Sequence, residues 1–254
     1  MSAVAVDQEL FVVFLLFVRI GAALVLMPGF GEVYVLGRSR LLLAIALSII
    51  LAGPLGSSMP ILPPDPKTLL LLVVNEAIWG LFIGAATRTM FAALHIAGST
   101  IAAQSGLATA TVFDPGQSTQ GTLPGNFLTT TAMVLLFVTD GHHMLLRGIV
   151  ASYDQLSIGT TLPIGDLAAF MTKVVQRGFN IGLQIAAPLL LVGLLTNLAM
   201  GILNRLMPTF QVFFIALPLQ LLLAFATLML SFAGGLLVFF TFVDTEYNAL
   251  TIGG

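Results

Sequence analysis

The sequence predicts an all-α integral membrane protein built from kinked helical hairpins, and three observations predict it. Hydrophobic residues make up 58% of the 254 positions and charged residues only 8%, where an average soluble domain is about 25% charged. Apolar segments near membrane-spanning length recur along the chain, separated by short polar or proline-rich stretches. Proline and glycine fall at the ends of those segments or inside them, where they stop or bend helices. Nine Lys or Arg and eleven Asp or Glu cannot build a water-soluble surface on a chain this long. Lipid, other subunits or both must cover it.

The same composition excludes several functions. There is no cysteine, so disulfides and thiolate metal sites are absent. Net charge is −2 and no basic run exists to hold nucleic acid. Met1–Glu9 carries Asp7 and Glu9 but no Lys or Arg, which is not the positive start of a cleavable signal peptide. Leu10–Met27 is therefore expected to remain as a helix, with the acidic N-terminus outside the cytoplasm.

That first helix is apolar except for Arg19 and ends at Pro28-Gly29. A short polar turn over Gly31–Arg40 and a second apolar segment, Leu41–Leu55, complete a helical hairpin. Gly53–Pro66 contains five prolines and reads as a semi-rigid extended linker. Leu69–Ala86 is the next helix, carrying Asn75 and Glu76, and Thr87–Ala103 continues it. Gly80 and Gly84 form a small-xxx-small pair that admits a close neighbour.

Gln104–Gly125, QSGLATATVFDPGQSTQGTLPG, then interrupts the apolar pattern with hydroxyls, amides, glycines and one charge, Asp114. A continuous helix through it is not expected. It is either an ordinary exposed loop or a functional insertion, since long loops without structure of their own are uncommon.

Phe127–Val138 and Met144–Ala151 are apolar, split by Thr139-Asp140-Gly141-His142-His143, and Ser152–Gly165 reads as a turn-rich connector. Asp166 is the expected N-cap of a helix starting near Leu167. Phe179–Leu203 is long and apolar, with Gly178 and Gly182 for close packing and Pro188 as a kink. Phe210–Val243 is too long for one straight span of a roughly 30 Å hydrocarbon layer. Pro218 and Gly234-Gly235 are its expected breaks.

Two groups of polar residues stand out. Arg19 and Glu76 lie inside apolar segments, where a charge needs a partner or water. Each serves either in a salt bridge or hydrogen bond that locks packing or in an ion or proton pathway. Asp140, His143 and Arg147 share one face if their segment is helical. A zinc site needs three or four suitably spaced ligands, and His95 is the only other histidine, so polar packing or subunit contact is expected and no metal. No nucleophile–base ordering or phosphate loop is present, so no enzyme and no cofactor are expected.

Several stretches together resemble the FliR/SctT family of type III secretion export-gate subunits. They are Phe17-Val18-Arg19-Ile20-Gly21, Met27–Gly31, Arg38-Ser39-Arg40-Leu41, and Gln104 through Asp114-Pro115. Further along come Asp140-Gly141-His142-His143, Ser152-Tyr153 and Ile158-Gly159, then Arg205-Leu206-Met207-Pro208, Val212-Phe213 and Leu217-Pro218. The order covers nearly the whole chain. Departures from the family pattern are Leu36-Gly37 and Ser157, where proline is usual, and Gln211, where asparagine is usual.

The resemblance implies a structural, channel-forming subunit of the flagellar gate, in the inner membrane at the basal body. It passes unfolded flagellar proteins and assembles with FliP and FliQ beside FlhB and FlhA, partly in contact with membrane lipid. Residues 1–175 would correspond to a FliP-like part and 176–254 to a FliQ-like hairpin, stacked in a helical assembly. The resemblance assigns a pore plug to Gly106, Leu107, Val112, Phe113, Asp114, Pro115 and Leu123. Its C-terminal signature adds Arg205, Pro208, Phe213 and Pro218 as packing or subunit contacts. The injectisome subunit of virulence systems is an alternative within the family. A small secondary transporter using Arg19, Glu76 and Asp140 is the alternative outside it, though no internal repeat of the kind such folds carry is evident.

Overall fold

Seven α-helices follow from this pattern in the computed structural model, which describes residues 3–56, 59–106, 122–155, 158, 163–206 and 212–252. They are α1 (Ala3–Leu26), α2 (Gly37–Leu55), α3 (Pro66–Ser105), α4 (Leu123–Val138), α5 (Gly141–Gln155), α6 (Ile164–Leu206) and α7 (Val212–Ile252). No strand occurs among the described residues. Five helices contain stretches long and apolar enough to cross a membrane, and α4 and α5 form a broken pair. The all-α membrane class is as expected.

The lengths are not. Helices α3, α6 and α7 run 40, 43 and 41 residues without interruption. At 1.5 Å per residue each is about 60 Å long, roughly twice the hydrocarbon thickness. Pro188 and Pro218 lie inside α6 and α7, and the expected breaks at Pro218 and Gly234-Gly235 do not occur. Where water is scarce, a broken helix leaves backbone groups unsatisfied, so the helix persists through residues that would end it in water. Helix α6 also starts earlier than expected, at Ile164. The Pro163 carbonyl accepts the N–H groups of Asp166 and Leu167 at 3.0 and 3.1 Å. Asp166 is thus in the first turn rather than the cap, where a carboxylate still complements the helix dipole.

The chain forms two compact units, interleaved in sequence. The first comprises Met1–Thr89, Phe137–Val174 and Thr245–Gly254. Leu15, Leu16, Ile20, Ala23 and Leu24 of α1 are buried in it. Gly80 and Gly84 bring α3 onto the α1 backbone: a Cβ at Gly80 would collide with the Arg19 carbonyl oxygen, and one at Gly84 would lie 2.6 Å from that of Ala23. Arg40 braces the α1–α2 turn by donating to the carbonyls of Phe30 and Glu32 at 3.0 and 3.3 Å. The proline linker is pinned by Gln8, whose amide donates to the Pro60 carbonyl and accepts from the Leu62 N–H. Near the C-terminus the Tyr247 hydroxyl donates to the Leu145 carbonyl at 2.6 Å, with its ring against Gly148.

The second unit comprises Met90–Leu136 and Val175–Asp244. Gly182 admits α6 onto α3, its Cβ position lying 2.8 Å from the Ala93 carbonyl oxygen. Phe91 meets Phe239 edge-on at 5.0 Å, and Phe127 packs on Phe232 at 5.4 Å. Much apolar surface remains open. The spans in α2 and α7 are each only 11% buried, so these helices require lipid or other chains around them.

The α1–α3 contact gives a direct test. Gly84→Val should overpack this contact at a cost of roughly 1–3 kcal/mol, read as a lower thermal unfolding midpoint in detergent. Gly53→Ala, at a position where an added Cβ meets nothing within 4 Å, should leave the midpoint unchanged or slightly raised.

Candidate functional site

Glu76, Gly80 and Gly84 are spaced four apart on α3 and therefore share one face. The glycines draw that face onto α1 close enough for Glu76 to reach Arg19. Arg19 Nε donates to Glu76 Oε2 at 2.7 Å and Nη2 donates to Oε1 at 3.0 Å. This is the two-point fork that a guanidinium makes with a carboxylate. Both side chains are fully buried.

Helix α5 supplies the remaining partners. Arg19 Nη1 donates to Ser152 Oγ at 3.2 Å, and the Ser152 hydroxyl donates on to the Ile149 carbonyl at 2.6 Å. The guanidinium carbon lies 4.0 Å from the centre of the Tyr153 ring, a cation–π contact. Sequence reasoning placed Ser152 and Tyr153 at the start of a connector, yet α5 extends to Gln155 and turns both inward. A tyrosine and a serine just beyond an apolar segment, in a chain with one buried arginine, were the available signal. The arrangement joins three helices through one neutralised pair and favours the packing alternative for Arg19 and Glu76.

The second predicted group is also brought together. Asp140, His143 and Arg147 line a polar surface cavity of about 640 Å³, with Gly148, Tyr247 and Asn248. Asp140 adopts φ 58° where α4 gives way to α5, a conformation that Asp tolerates better than most residues. Its carboxylate lies 3.5 Å from His143 Nδ1, while the His142 ring lies between Phe137, on which it stacks at 5.0 Å, and the His143 ring at 4.1 Å. Asp140, His142 and His143 place their ligand-type atoms within 4.8 Å of one another. Arg147 and the α5 N-terminus set positive charge beside them, which works against a cation there.

The ends of the polar stretch belong to the second unit. Gly106 closes α3 with φ 78°, the left-handed residue that commonly follows a helix, and its α-carbon faces Leu217 and Gln220 of α7. The Gln220 amide donates to the Gln104 carbonyl at 2.6 Å. At the other end, the Thr122 hydroxyl accepts the Gly125 N–H at 3.3 Å and caps α4. Leu123 is consequently in the first turn of a helix, with its side chain exposed. Ser105, Leu123, Pro124, Phe127, Leu189 and Phe232 are among the residues that line an almost wholly apolar cavity of about 600 Å³. Leu107, Val112, Phe113, Asp114 and Pro115 lie outside the described residues, as do Pro208 and the side chain of Phe213. Arg205 is exposed in the last turn of α6, and Pro218 is exposed within α7.

Comparison with known proteins resolves the family. The model for bacterial export proteins, family 1, matches residues 10–245. This chain belongs to that family. Among the export proteins it resembles is the flagellar biosynthetic protein FliR of Caulobacter vibrioides, 34% identical over 92% of this chain and 93% of the relative. FliR of Bacillus subtilis is 34% identical over 97% of both chains. The Yop proteins translocation protein T of Yersinia pestis is 28% identical over 87% and 85%. The matched span of the export family model includes Arg19, Glu76, Ser152 and Tyr153, and Asp140, His143 and Arg147.

Removing one partner of the buried pair should be far worse than removing both. Glu76→Ala strands the guanidinium and should cost about 3–5 kcal/mol, whereas Arg19→Met with Glu76→Leu should recover most of that loss. Thermal unfolding of the three proteins in one detergent provides the measurement.

Proposed function

We propose that this chain is the FliR-type subunit of the flagellar type III export gate. In this reading it is structural and channel-forming, and it passes unfolded flagellar proteins across the bacterial inner membrane at the basal body. The observation that carries the reading is the near end-to-end match to two FliR proteins. The sparsely buried α2 and α7 support it, because faces of this kind suit packing against sister subunits. FliP and FliQ are the proposed companions in the ring, with FlhB and FlhA adjoining. Residues 1–175 serve as the FliP-like part and 176–254 as the FliQ-like hairpin.

The flagellar assignment takes precedence over the injectisome because FliR of Caulobacter vibrioides and of Bacillus subtilis are more similar over more of the chain than the Yop translocation protein. The transporter alternative loses its chemistry, since Arg19 and Glu76 neutralise each other in a closed cluster. No catalytic role is proposed for any residue. Energy for transport comes from outside this chain.

The segment from Gly106 to Leu123 is the proposed plug of the closed channel. Its leucine, valine and phenylalanine side chains exclude water, and its hydroxyls let water return on opening, as in gates that work by dewetting. The remaining residues named at the outset, Asp140, His143, Arg147, Arg205, Pro208, Phe213 and Pro218, are proposed as packing or subunit contacts.

Two measurements test this. The tagged chain should copurify with FliP and FliQ from gently solubilised membranes, and recovery as a solitary monomer would overturn the subunit reading. Deletion of Gly106–Thr122 should raise ion conductance of the reconstituted complex, and unchanged conductance would remove the plug.

A further inference from the structure

The side chains of the α1–α2 hairpin leave a groove open between the two helices. Phe17, Gly21 and Val25 of α1 line it with Arg40, Leu41 and Ala44 of α2, and its volume is about 300 Å³. Small residues make the space. An added Cβ at Gly21 would meet Phe17 and Ala44 only at ordinary van der Waals distance, 3.9 and 4.0 Å. One at Gly37, which also lines the groove, would meet nothing within 4 Å. Gly80 and Gly84 differ, because a Cβ there would strike the α1 backbone. The glycines of the groove therefore serve no close helix contact and hold room for an occupant.

The lengths of the two helices fix the depth of the groove. The apolar spans Val6–Leu26 and Gly37–Leu55 run 21 and 19 residues, about 30 Å each, which matches the hydrocarbon layer. The turn joining them therefore stands at a membrane–water boundary. Gly37 and Arg40 mark that end of the groove, and from Val25 to Phe17 it descends about 12 Å along α1. The turn is well braced. The N–H groups of Phe30 and Gly31 donate to the Met27 carbonyl at 3.2 and 2.7 Å, and that of Val35 donates to the Glu32 carbonyl at 3.1 Å. On this fixed backbone Val33, Tyr34 and Leu36 still project outward, all at least 70% exposed. Apolar tips with a tyrosine among them suit the headgroup layer, where amphipathic rings collect.

We propose that this groove is a binding site for one anionic phospholipid, with an acyl chain between α1 and α2 and the phosphate at Arg38. Charge at the turn selects the headgroup. From Leu10 to Pro64 the only acid is Glu32, against Arg19, Arg38 and Arg40. Arg19 is neutralised by Glu76, and Arg40 is turned onto the carbonyls of Phe30 and Glu32. Arg38 is exposed, and its side chain has no hydrogen-bond or ion-pair partner among the described residues. A guanidinium meets phosphate in a two-point geometry, and the positive end of the α2 dipole lies beside it. Below, Phe17, Val25, Leu41 and Ala44 offer hydrocarbon to hydrocarbon. A water-soluble anion would have no use for the groove, and an apolar helix would have none for Arg38. The inference depends on α1 and α2 spanning the membrane and not on the export-gate reading.

The test is lipid retention by the full-length chain. Wild type, Arg38→Gln, Val25→Trp and Leu41→Trp are placed in nanodiscs of phosphatidylcholine and phosphatidylglycerol in equal amounts. Each is then extracted in mild detergent, and native mass spectrometry counts the lipids it keeps. Wild type should keep phosphatidylglycerol over phosphatidylcholine by at least about threefold, as one basic side chain at a lipid surface suffices to do. Arg38→Gln should bring that ratio to equality. Val25 and Leu41 are 46% and 50% exposed at the rim, so a tryptophan at either fills the groove from outside. Both should lose the retained phosphatidylglycerol while keeping the unfolding midpoint of the wild type. Arg38→Gln changes only an exposed side chain and decides the matter if a tryptophan unfolds the chain. Equal retention of the two lipids by wild type would overturn the site, as would a preference that no variant alters. Retention by the isolated chain that vanishes when other subunits copurify would give the groove to a protein partner and equally overturn the proposal.

Discussion

The first unit is organised by the bidentate contact of Arg19 with Glu76. Two full charges inside apolar helices are tolerated because each neutralises the other and because the guanidinium also meets Ser152 and Tyr153. That geometry is available only when α1 and α3 touch backbone to backbone, which Gly80 and Gly84 permit. The glycines and the charges are one device: small residues set the distance and the ion pair sets the register. A slide of one residue along either helix would leave both charges without partners. Apolar side chains alone would penalise such a slide far less, because leucine against leucine packs nearly as well one turn away.

A pair of this kind specifies arrangement more than it adds stability, and this protein needs arrangement specified. With 58% hydrophobic residues and long exposed apolar faces on α2, α6 and α7, burial by itself does not discriminate correct from incorrect helix neighbours. Lipid is as apolar as the side chains, so helix association inside a membrane draws on close packing and polar contacts instead. The same logic recurs in the second unit, where Gly182 supplies close approach and the Gln220–Gln104 hydrogen bond supplies the polar constraint.

Much of this was legible in the sequence, and the pattern of what was not is instructive. The class followed from composition, and the need of Arg19 and Glu76 for a partner followed from the cost of a lone charge in apolar surroundings, though the sequence did not say that they are each other's partner. Gly80 and Gly84 announced a close contact correctly, though not with which helix. The role of Ser152 and Tyr153 was hidden because hydroxyl-bearing residues beside a run of Gly, Thr and Pro read locally as a connector. Only the arginine on a distant helix gives them a reason to be helical and buried. The breaks expected at Pro218 and Gly234-Gly235 failed for a related reason. Turn propensities describe competition with water for backbone hydrogen bonds, and α7 is surrounded by little that can compete.

The polar stretch after α3 is held by hydrogen bonds at both of its described ends. Gly106 ends α3 by taking the left-handed conformation that other residues adopt reluctantly, and it does so directly against α7. Gln220 holds the carbonyl two residues earlier, one of the terminal groups that a helix leaves unsatisfied. Thr122 performs the matching service for the N–H groups at the start of α4. Both roots are therefore closed by hydrogen bonds that the intervening residues do not contribute. If that stretch is the proposed plug, its small hydroxylated residues around a few apolar ones answer to the passage and not to helix packing, which accounts for a composition so unlike the apolar segments on either side.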